Sequence, residues 1–589
     1  MKEVLSYKKK LKLLRNLLKK RDCNYYLLPR TDKFQNEFIS EEDERVKWLT
    51  GFSGSFAFVI ISLKQNIIFT DGRYIDQIKK EVDQKTFKIL DINNKEPILW
   101  LKDKIQAKEK VLLDSWLFSC NKFNYLKKIV KEKKSKILLS KEILIDKIWK
   151  KKPNKIINKI FIRETKYSGI FFKNKIQHVK KILKDKKINS FFFSSPESIS
   201  WLLNIRSNQI KYVPIVLSFL LLNLNEKSYF FSEKSKNLEK YFSSYFIIFD
   251  LQDLREILIN FSITSKEIYL DPNKTPYFIE NFFKTIGVKV KYSQDPCENL
   301  KLIKNPIEIK GFKSSHIRDG VSVCKFLFWL DEIIKKNKKV SEIITSKKLF
   351  EFRKKNKLFR GLSFETISSF GSNGSIIHYR VSTKTNKILK KNNLYLYDSG
   401  AQYLDGTTDV TRTICIGDNP TQEQKDRFTR VLKGNLGLSN YSFSDRTTGS
   451  VLDKIARRHL KKKNLDYPHG TGHGVGSYLS VHEGPISISK SSKTKFKKGM
   501  VLTNEPGFYK TNQYGIRIEN IMLVIKRKKL LGFEILTLVP IDIKLIDTKL
   551  LNIQEKNWLN IYHKKVFNKI FKYLNKKERK WLKEKTAPI

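Results

Sequence analysis

The chain of 589 residues is too long for a single hydrophobic core, so we expect about three domains. Hydrophobic residues make up 40% of the chain and aromatic residues 12%, which is enough for globular folding throughout. No apolar run reaches the roughly 18 residues of a membrane helix, and the N-terminus lacks a secretory signal, so we expect no membrane span.

The cysteines number five, are scattered along the chain and form no C-x-x-C pair. This pattern is typical of a reducing compartment and argues against a thiolate metal site. We therefore expect a cytoplasmic protein.

The chain is strongly basic, with 117 Lys and Arg against 59 Asp and Glu and a formal net charge of +58. Such a charge is compatible with binding to nucleic acid or to an anionic membrane. Lysine runs occur everywhere, however, and are not gathered with stacking aromatic residues into one motif. We interpret lysine as the ordinary surface residue of this chain and expect no specific nucleic-acid binding.

Two successive α/β units are predicted before residue 300. The first, residues 1–155, begins with a Leu-rich amphipathic helix that leads to an apolar strand at 25–28. The second, residues 156–300, has a helix near 174–186 and a long buried strand from Val213. Because both units run helix, strand, polar segment and long strand, we predict a structural duplication.

The character of the sequence changes after Lys301. Asn305 is suited to cap a helix and Pro306 to occupy its first turn, so a long helix is predicted to follow. His316 lies in this helix and is interpreted as a partly exposed or hydrogen-bonded helix histidine. His459, in a basic helical stretch, is interpreted as a solvated surface residue.

Two aspartates flank an Asp-Gly turn signal at Asp405 and Gly406. Asp398 and Asp409 each lie among apolar and β-branched residues, so two strands folded together would place them within a residue or two of directly opposite each other. Two carboxylates that close repel and stay ionised only with a cation between them. Two polar strand residues that face water are the open alternative.

Four histidines accompany these aspartates in glycine-rich segments. His378 is expected at a strand end after a glycine loop. His469 and His473 are four residues apart, but the alternating glycines between and after them disfavour a helix, and in an extended segment both would share a face. His482 follows shortly. Each could be a core histidine on its own; four together indicate a site.

Two glutamates complete the set. Glu505 follows an apolar strand, and Glu519 is expected on an alternating strand whose other residues are apolar. A buried carboxylate needs a partner. Arg517, predicted on the same face as Glu519, is one candidate partner and a metal ion is the other.

Together these residues provide four carboxylates and one imidazole as candidate metal ligands: Asp398, Asp409, His473, Glu505 and Glu519. Oxygen-rich ligation with one nitrogen suits Mn²⁺, Co²⁺ or Fe²⁺, and suits Zn²⁺ less well. Four acids exceed the need of one divalent ion, so two ions bridged by two carboxylates are expected.

The motifs resemble those of the pita-bread metallopeptidases, and in particular the three-domain Xaa-Pro aminopeptidases of family M24B. The resemblance is carried by Asp71–Tyr74, Trp201–Asn204, His316–Val321, Gly374–Tyr379, Tyr397–Thr413, His469–Gly476, Val481–Pro485, Asn504–Gly507 and Arg517–Asn520. The tail around Trp558 and Trp581 is similar to the long subtype.

The resemblance implies an α/β (α+β) fold: two creatinase-like N-terminal domains (1–155 and 156–300), a pita-bread catalytic domain (301–535) and a C-terminal helical extension (536–589). It implies removal of the N-terminal residue from peptides with proline second, by attack of a hydroxide that bridges two divalent ions, with Mn²⁺ favoured over Co²⁺, Fe²⁺ and Zn²⁺. A homodimer is a further expectation.

The resemblance also implies roles for residues. Asp398 would hold one metal, Asp409 and Glu519 would bridge the pair, and His473 and Glu505 would hold the second. The catalytic residues implied are Glu505 as proton acceptor and donor, the histidines that bind substrate and stabilise the oxyanion, and an arginine that orients a bridging carboxylate: His378, His469, His482, Glu505 and Arg517.

Two alternatives stay open. A prolidase-type dipeptidase shares the ligands but has one preceding domain and no comparable tail. A basic scaffold or nucleic-acid-binding relative without activity would use the positive charge; loss of a ligand residue would favour it, and none is lost.

Overall fold

The computed structural model describes residues 5–140, 142–154, 156, 159–233 and 238–589. The chain forms two compact units. One contains residues 1–162 and 172–297, and the other contains residues 163–171 and 298–589. No helix in the described ranges combines the length and hydropathy needed to cross a membrane. The division into four domains at the predicted boundaries stays a prediction.

The first half of the N-terminal unit is a six-stranded sheet with helices against it. Its strands are β1 Tyr25–Pro29, β2 Phe58–Ser62, β3 Asn66–Thr70, β4 Lys88–Asp91, β5 Lys110–Asp114 and β6 Lys136–Ser140. Its helices are α1 Tyr7–Lys20, α2 Arg45–Thr50, α3 Ile75–Glu81, α4 Pro97–Lys104, α5 Cys120–Glu132 and α6 Leu144–Ile148. As predicted, α1 buries Leu11, Leu14 and Leu18 because their spacing places them on one face.

The next part of the chain, from residue 159 to residue 302, contains eight further strands and seven helices among its described residues. The strands are β7 Phe161–Ile162, β8 Ser190–Phe193, β9 Ile205–Arg206, β10 Ser218–Asn223, β11 Ser228–Ser232, β12 Phe246–Phe249, β13 Glu267–Leu270 and β14 Lys289–Tyr292. The helices are α7 Thr165–Ser168, α8 Phe172–Asp185, α9 Pro196–Leu202, α10 Glu239–Phe242, α11 Leu254–Thr264, α12 Tyr277–Thr285 and α13 Pro296–Leu302.

The two N-terminal sheets share one topology. Their strand orders, β4-β3-β2-β1-β5-β6 and β12-β11-β10-β8-β13-β14, correspond strand for strand. The directions correspond as well, with two antiparallel pairs and three parallel pairs at matching places. The predicted structural duplication is confirmed. The predicted strand from Val213 is partly wrong: it begins at Ser218, because residues before it bond to Ser200 and Gln209 instead of a ladder.

The second unit combines several small sheets with long helices. The helices that follow α13 are α14 Pro306–Lys335, α15 Glu342–Lys354, α16 Gln422–Asn440, α17 Gly449–Lys461, α18 Ile553–Ile570 and α19 Lys576–Lys585. The strands are β15 Phe359–Leu362, β16 Ile367–Phe370, β17 Asn393–Ser399, β18 Ala401–Tyr403, β19 Gly406–Thr407, β20 Val410–Ile416, β21 Gly472–Gly474, β22 Glu483–Ile488, β23 Val501–Asn504, β24 Gly507–Lys510, β25 Tyr514–Arg517, β26 Asn520–Arg527 and β27 Leu530–Ile535.

Helix α14 begins as predicted. The Asn305 side chain accepts hydrogen bonds from the backbone N–H groups of Ile307 and Glu308. The Glu308 carboxylate in turn accepts a hydrogen bond from the Asn305 N–H, which completes a capping box. His316 within this helix is buried, and its Nδ1 donates to the Phe312 carbonyl at 2.7 Å. Burial lowers the pKa of His316 to about 4, so this histidine is neutral.

His459 is not the solvated residue that was predicted. Its side chain in α17 is 13% exposed, and Nε2 lies 3.9 Å from Glu555 Oε1 on α18. Burial lowers the pKa of His459 to about 4. Arg458, Lys461 and Lys462 beside it are exposed, but the approach of His459 to Glu555 on α18 leaves no signal in the local pattern.

Candidate metal centre

Asp398 and Asp409 lie on neighbouring antiparallel strands. In the pairing of β17 with β20, Asp398 is opposite Thr411 and Ser399 is opposite Val410. Asp409, which immediately precedes β20, is therefore offset by two residues from the position opposite Asp398, as the sequence predicted. Both side chains are buried, at 8% and 4% exposure.

The connection between these strands is not a simple Asp-Gly turn. The intervening residues form a separate hairpin, β18 with β19, in which Tyr403 pairs with Gly406. This hairpin joins β15 in another sheet, and its two-residue loop is Leu404 and Asp405. Gly406 lies in the strand, where a Cβ would come within 2.6 Å of the Ser315 hydroxyl of α14. The glycine is thus needed for helix packing and not for the turn.

Glu519 was predicted to lie on a continuous strand. In the structure it occupies the two-residue break between β25 and β26. Its backbone N–H donates to the Thr411 carbonyl at 3.1 Å, and its Oε2 accepts from the Thr411 hydroxyl at 2.8 Å. Glu519 is only 1% exposed. These bonds direct its carboxylate to the aspartate pair, because Thr411 is the residue opposite Asp398 in the ladder.

Arg517 pairs with Asp398 and not with Glu519. Its Nη2 donates to Asp398 Oδ2 at 2.6 Å, while Nη1 donates to the Tyr509 hydroxyl at 2.6 Å. A further bond runs from Nε to the Thr411 hydroxyl at 3.2 Å. Of the two candidate partners left open for Glu519, Arg517 is therefore not the ion-pair partner, because the strand ends between the two residues.

Two glycines bring His473 into the cluster. In β21, a Cβ on Gly472 or Gly474 would overlap a backbone carbonyl of the neighbouring strands, so only glycine permits this approach. His473 Nδ1 donates to the Gly474 carbonyl at 2.9 Å, which leaves the lone pair on Nε2. That Nε2 lies 3.6 Å from Asp409 and 3.7 Å from Glu505, measured to the carboxylate oxygens.

The carboxylates are close enough to disturb one another. Burial, and then Asp398 and Glu505, raise the pKa of Asp409 well above its ordinary value. Burial, and then Asp409 and Glu505, raise the pKa of Glu519 in the same way. Without a counter-charge beyond that of Arg517, burial and mutual repulsion favour the protonated forms of Asp409 and Glu519.

The donor set fits divalent cations. Ligand atoms of Asp409, His473 and Glu519 all lie within 4.8 Å of one another. One oxygen of Asp398 and one of Asp409 are buried without a hydrogen-bond partner in the described part of the chain. Buried carboxylate oxygens of this kind are costly unless a cation or donor meets them. Four carboxylates and one imidazole match hard divalent ions.

The other three predicted histidines differ in how closely they approach the cluster. The His482 ring lies T-shaped against the His473 ring at 4.3 Å. The His469 Nε2 lies 2.9 Å from the Tyr509 hydroxyl, and its Nδ1 is 4.0 Å from Glu505. His378 lies in a turn after a 3₁₀ helix and not at a strand end; the preceding residue, Ile377, accepts a bond from Arg517 at 3.4 Å.

Two site residues were missed from the sequence. Thr411 bonds to both Glu519 and Arg517, and Tyr509 bonds to both Arg517 and His469. Thr411 lies two residues after Asp409, a separation that places both on one face of an extended chain. That spacing was an available signal. Tyr509 carries a weaker signal: Arg517 lies on the next strand of the same hairpin, but His469 is 40 residues away.

Family models match almost the whole chain. A model of metallopeptidase family M24 matches residues 312–526, and the C-terminal region of peptidase M24 matches 529–589. Two models of the creatinase/prolidase N-terminal domain match residues 10–145 and 151–308.

Relatives match over their full length. A probable Xaa-Pro aminopeptidase P of Coprinopsis cinerea is 37% identical over 99% of this chain and 98% of its own. Xaa-Pro aminopeptidase 1 of Dictyostelium discoideum is 38% identical over 99% of this chain and 96% of its own.

A crystal structure adds the three-dimensional comparison. X-prolyl aminopeptidase from Caenorhabditis elegans, described as a cytosolic enzyme with a di-nuclear active site, superposes with a TM-score of 0.94 at 32% identity, covering 99% of this chain and 100% of that one. The predicted fold class and family are confirmed: the chain belongs to metallopeptidase family M24 and carries creatinase/prolidase-type N-terminal domains.

Proposed function

We propose that this chain is a dinuclear metal-dependent aminopeptidase that removes the N-terminal residue from peptides with proline in the second position. The observation that carries the proposal is the convergence of Asp398, Asp409, His473, Glu505 and Glu519 into one buried cluster with too much negative charge for its protein surroundings. Relatives over the full length are Xaa-Pro aminopeptidases.

Two divalent ions, with Mn²⁺ preferred, are proposed to occupy the cluster. Asp398 would hold one ion, His473 and Glu505 the other, and Asp409 and Glu519 would bridge them. When bound, such ions act as Lewis acids on a peptide carbonyl and lower the pKa of water at the site.

Residues of the chain supply proton transfer and substrate binding. The Glu505 side chain is 19% exposed and is the more accessible of the two carboxylates beside His473, so it is suited to accept a proton and to return it to the leaving nitrogen. His482, beside His473, is suited to hold a substrate carbonyl and the oxyanion that develops from it, with His378 and His469 as further substrate contacts.

Arg517 is proposed to orient Asp398. It bonds to this carboxylate at 2.6 Å, whereas the resemblance had implied contact with a bridging carboxylate. Arg517 would thus orient the ligand of one ion only. Its own bonds to Tyr509 and Thr411 would hold the guanidinium group in place beside Asp398.

The experiment compares an X-Pro-Y tripeptide panel with X-Pro dipeptides after removal of metal and readdition of Mn²⁺, Co²⁺, Fe²⁺ or Zn²⁺. We expect cleavage of tripeptides only after readdition, with Mn²⁺ most effective. Preferential cleavage of dipeptides would support the prolidase-type alternative, and full activity in excess chelator would overturn the proposal.

Variants test the assigned residues. Glu505→Gln keeps the side-chain volume and removes the titrating group, and we expect it to lower kcat by at least about 100-fold. His473→Ala should abolish turnover and lower bound metal. The matched control is His178→Ala, which removes an exposed histidine of α8 and should leave both readouts unchanged.

Three finer features belong to the same proposal. We propose a cytosolic location, in keeping with the description of the C. elegans enzyme, and a homodimer. The positive charge is proposed to give only weak binding to DNA that disappears at about 0.2 M salt. Sequence-selective binding at that salt concentration would favour the nucleic-acid-binding alternative.

A further inference from the structure

His482 lies in the bend that immediately precedes β22, a strand with an irregular start. The pairing of β21 with β22 passes from His473 opposite Ser487 directly to Gly474 opposite Glu483, so residues 484–486 bulge out of the ladder. Ladder bonds are interrupted at such a bulge and do not hold the strand there. The His482 ring lies 4.3 Å from the His473 ring, and His482 is joined to the ladder through Glu483, the single paired residue that precedes the bulge.

Glu483 is itself held by a buried ion cluster. The Glu483 carboxylate binds the ammonium group of Lys304, and Lys301 Nζ lies 3.4 Å from its other oxygen. The three side chains are 0%, 1% and 3% exposed, respectively. Glu483 directly follows His482 in the chain, so this cluster fixes the backbone immediately beside His482.

Both lysines are fixed at their own ends. Lys304 Nζ also donates to the Lys301 carbonyl at 3.0 Å, and its backbone N–H donates to the Gly499 carbonyl at 2.9 Å. Lys301 Nζ lies 3.5 Å from the Gly484 carbonyl, inside the bulge. The cluster thus joins the segment before α14 to the bulge that follows His482.

Stability alone is a weak reason for such a cluster. Burying three charged groups costs desolvation energy that apolar side chains of similar size would avoid. Two ammonium groups around one carboxylate, however, restrict the position of that carboxylate from two directions. A single ion pair or an apolar contact would restrict it less.

We propose that Lys304, together with Lys301, is a positioning residue that acts through Glu483 to hold His482 in the orientation that binds peptide substrate. The proposal rests on the proposed function for the role of His482. The contacts of Lys304 are with Lys301, Glu483 and Gly499, so the effect of its substitution is expected on substrate binding and turnover and not on the amount of metal bound.

A double-mutant cycle tests this coupling. We expect Lys304→Met to lower kcat/KM for an X-Pro-Y peptide by about tenfold or more in the wild-type background. In the His482→Ala background the same substitution should change kcat/KM by less than about twofold, because the residue it positions is absent. Equal losses in both backgrounds would overturn the proposal, since a general structural defect would act regardless of His482.

Rescue and control variants sharpen the cycle. Lys304→Arg retains a cation at Glu483 and should recover most of the activity. Lys498 is exposed and precedes Gly499, which bonds to the Lys304 backbone, and Lys498→Met should have no effect. If Lys304→Met fails to fold, the double variant Lys304→Met/Glu483→Gln removes both charges and replaces it in the cycle. Bound metal should equal that of the wild type in every variant; loss of metal would overturn the assignment.

A second readout does not depend on activity. The chain has eight histidines, so ¹³C-labelled histidine ring signals can be assigned by single substitutions. We expect Lys304→Met to shift the His482 signal and to leave that of His178 unchanged. An unshifted His482 signal would overturn the positioning role, whereas absence of X-Pro cleavage in the wild type would contradict only the proposed function.

Discussion

Buried charge at the scale of single residues is balanced in different ways in the two units. In the metal-binding cluster, Arg517 balances the charge of one carboxylate, Asp398. The negative charge of the other carboxylates suits divalent cations. In the N-terminal unit, Asp114 is 1% exposed and is met by two neutral donors, the Tyr26 hydroxyl at 2.5 Å and the Leu144 N–H at 3.1 Å. Burial raises the pKa of Asp114 to about 7.

The raised pKa of Asp114 predicts a pH-dependent stability. An unfolded aspartate has a pKa of about 3.9, so the proton favours the folded state. This contribution is complete below about pH 4 and is lost as pH rises through about 7. From pH 5 to pH 8 the wild type should lose on the order of 1 to 4 kcal/mol relative to Asp114→Asn, measured by denaturant unfolding at both pH values.

Asp185→Asn is the control for this measurement, because Asp185 is exposed on α8. Its unfolding free energy should follow that of the wild type with pH. Parallel curves for the wild type and Asp114→Asn would contradict the prediction.

At the scale of elements, close packing places the helices that frame the metal centre. Helices α16 and α17 cross at Gly434, where a Cβ would overlap the Ala456 carbonyl. Asn435, the next residue, donates to the carbonyls of Asn504 and Ile518, which precede Glu505 and Glu519. The crossing thus brings a polar side chain to the backbone beside two of the proposed ligands.

This packing predicts opposite effects for two glycines of α16. Gly434→Ala should destabilise the protein by about 1 to 3 kcal/mol, because the added methyl group forces the helices apart. Gly437→Ala should be neutral or stabilising by up to about 1 kcal/mol, because its nearest neighbour is 4.0 Å away and alanine is the better helix former. Thermal unfolding of both variants checks this, and equal shifts would contradict the close crossing.

At the scale of the whole molecule, ligand binding and charge decide stability. The five proposed ligands of the second unit are spread over residues 398–519, so the repulsion among them acts on the folded state and is weaker in the unfolded chain. The net charge of +58 adds a general repulsion that does not depend on the site.

Divalent metal should therefore raise the unfolding temperature. At a free Mn²⁺ concentration 100 times Kd, binding contributes about 2.7 kcal/mol per site. Scanning calorimetry with chelator and with Mn²⁺ measures the shift. Asp409→Asn should reduce the shift and raise the metal-free unfolding temperature, because it removes one repelling carboxylate; an unchanged shift would remove Asp409 from the ligand set.

Local sequence patterns correctly predicted the features that depend on nearby residues. The α1 leucines, the Asn305 cap and the near-opposition of Asp398 and Asp409 are all set by spacing within one or two elements. Prediction from local sequence pattern was wrong where contacts between distant parts of the chain decide the structure. The Glu519 segment is interrupted between two strands, and His459 is partly buried and lies 3.9 Å from Glu555 of α18.

The sequence by itself determined the residue types of the centre, their order and the excess of carboxylates, because ligand chemistry depends on side-chain identity. Only the tertiary structure decided that Arg517 serves Asp398, that Thr411 and Tyr509 join the network, and that buried lysines anchor Glu483 beside His482. Most of these partners are far apart in the chain, although Tyr509 and Arg517 share the β24–β25 hairpin. Their contacts depend on register and close packing, which leave no local pattern in sequence.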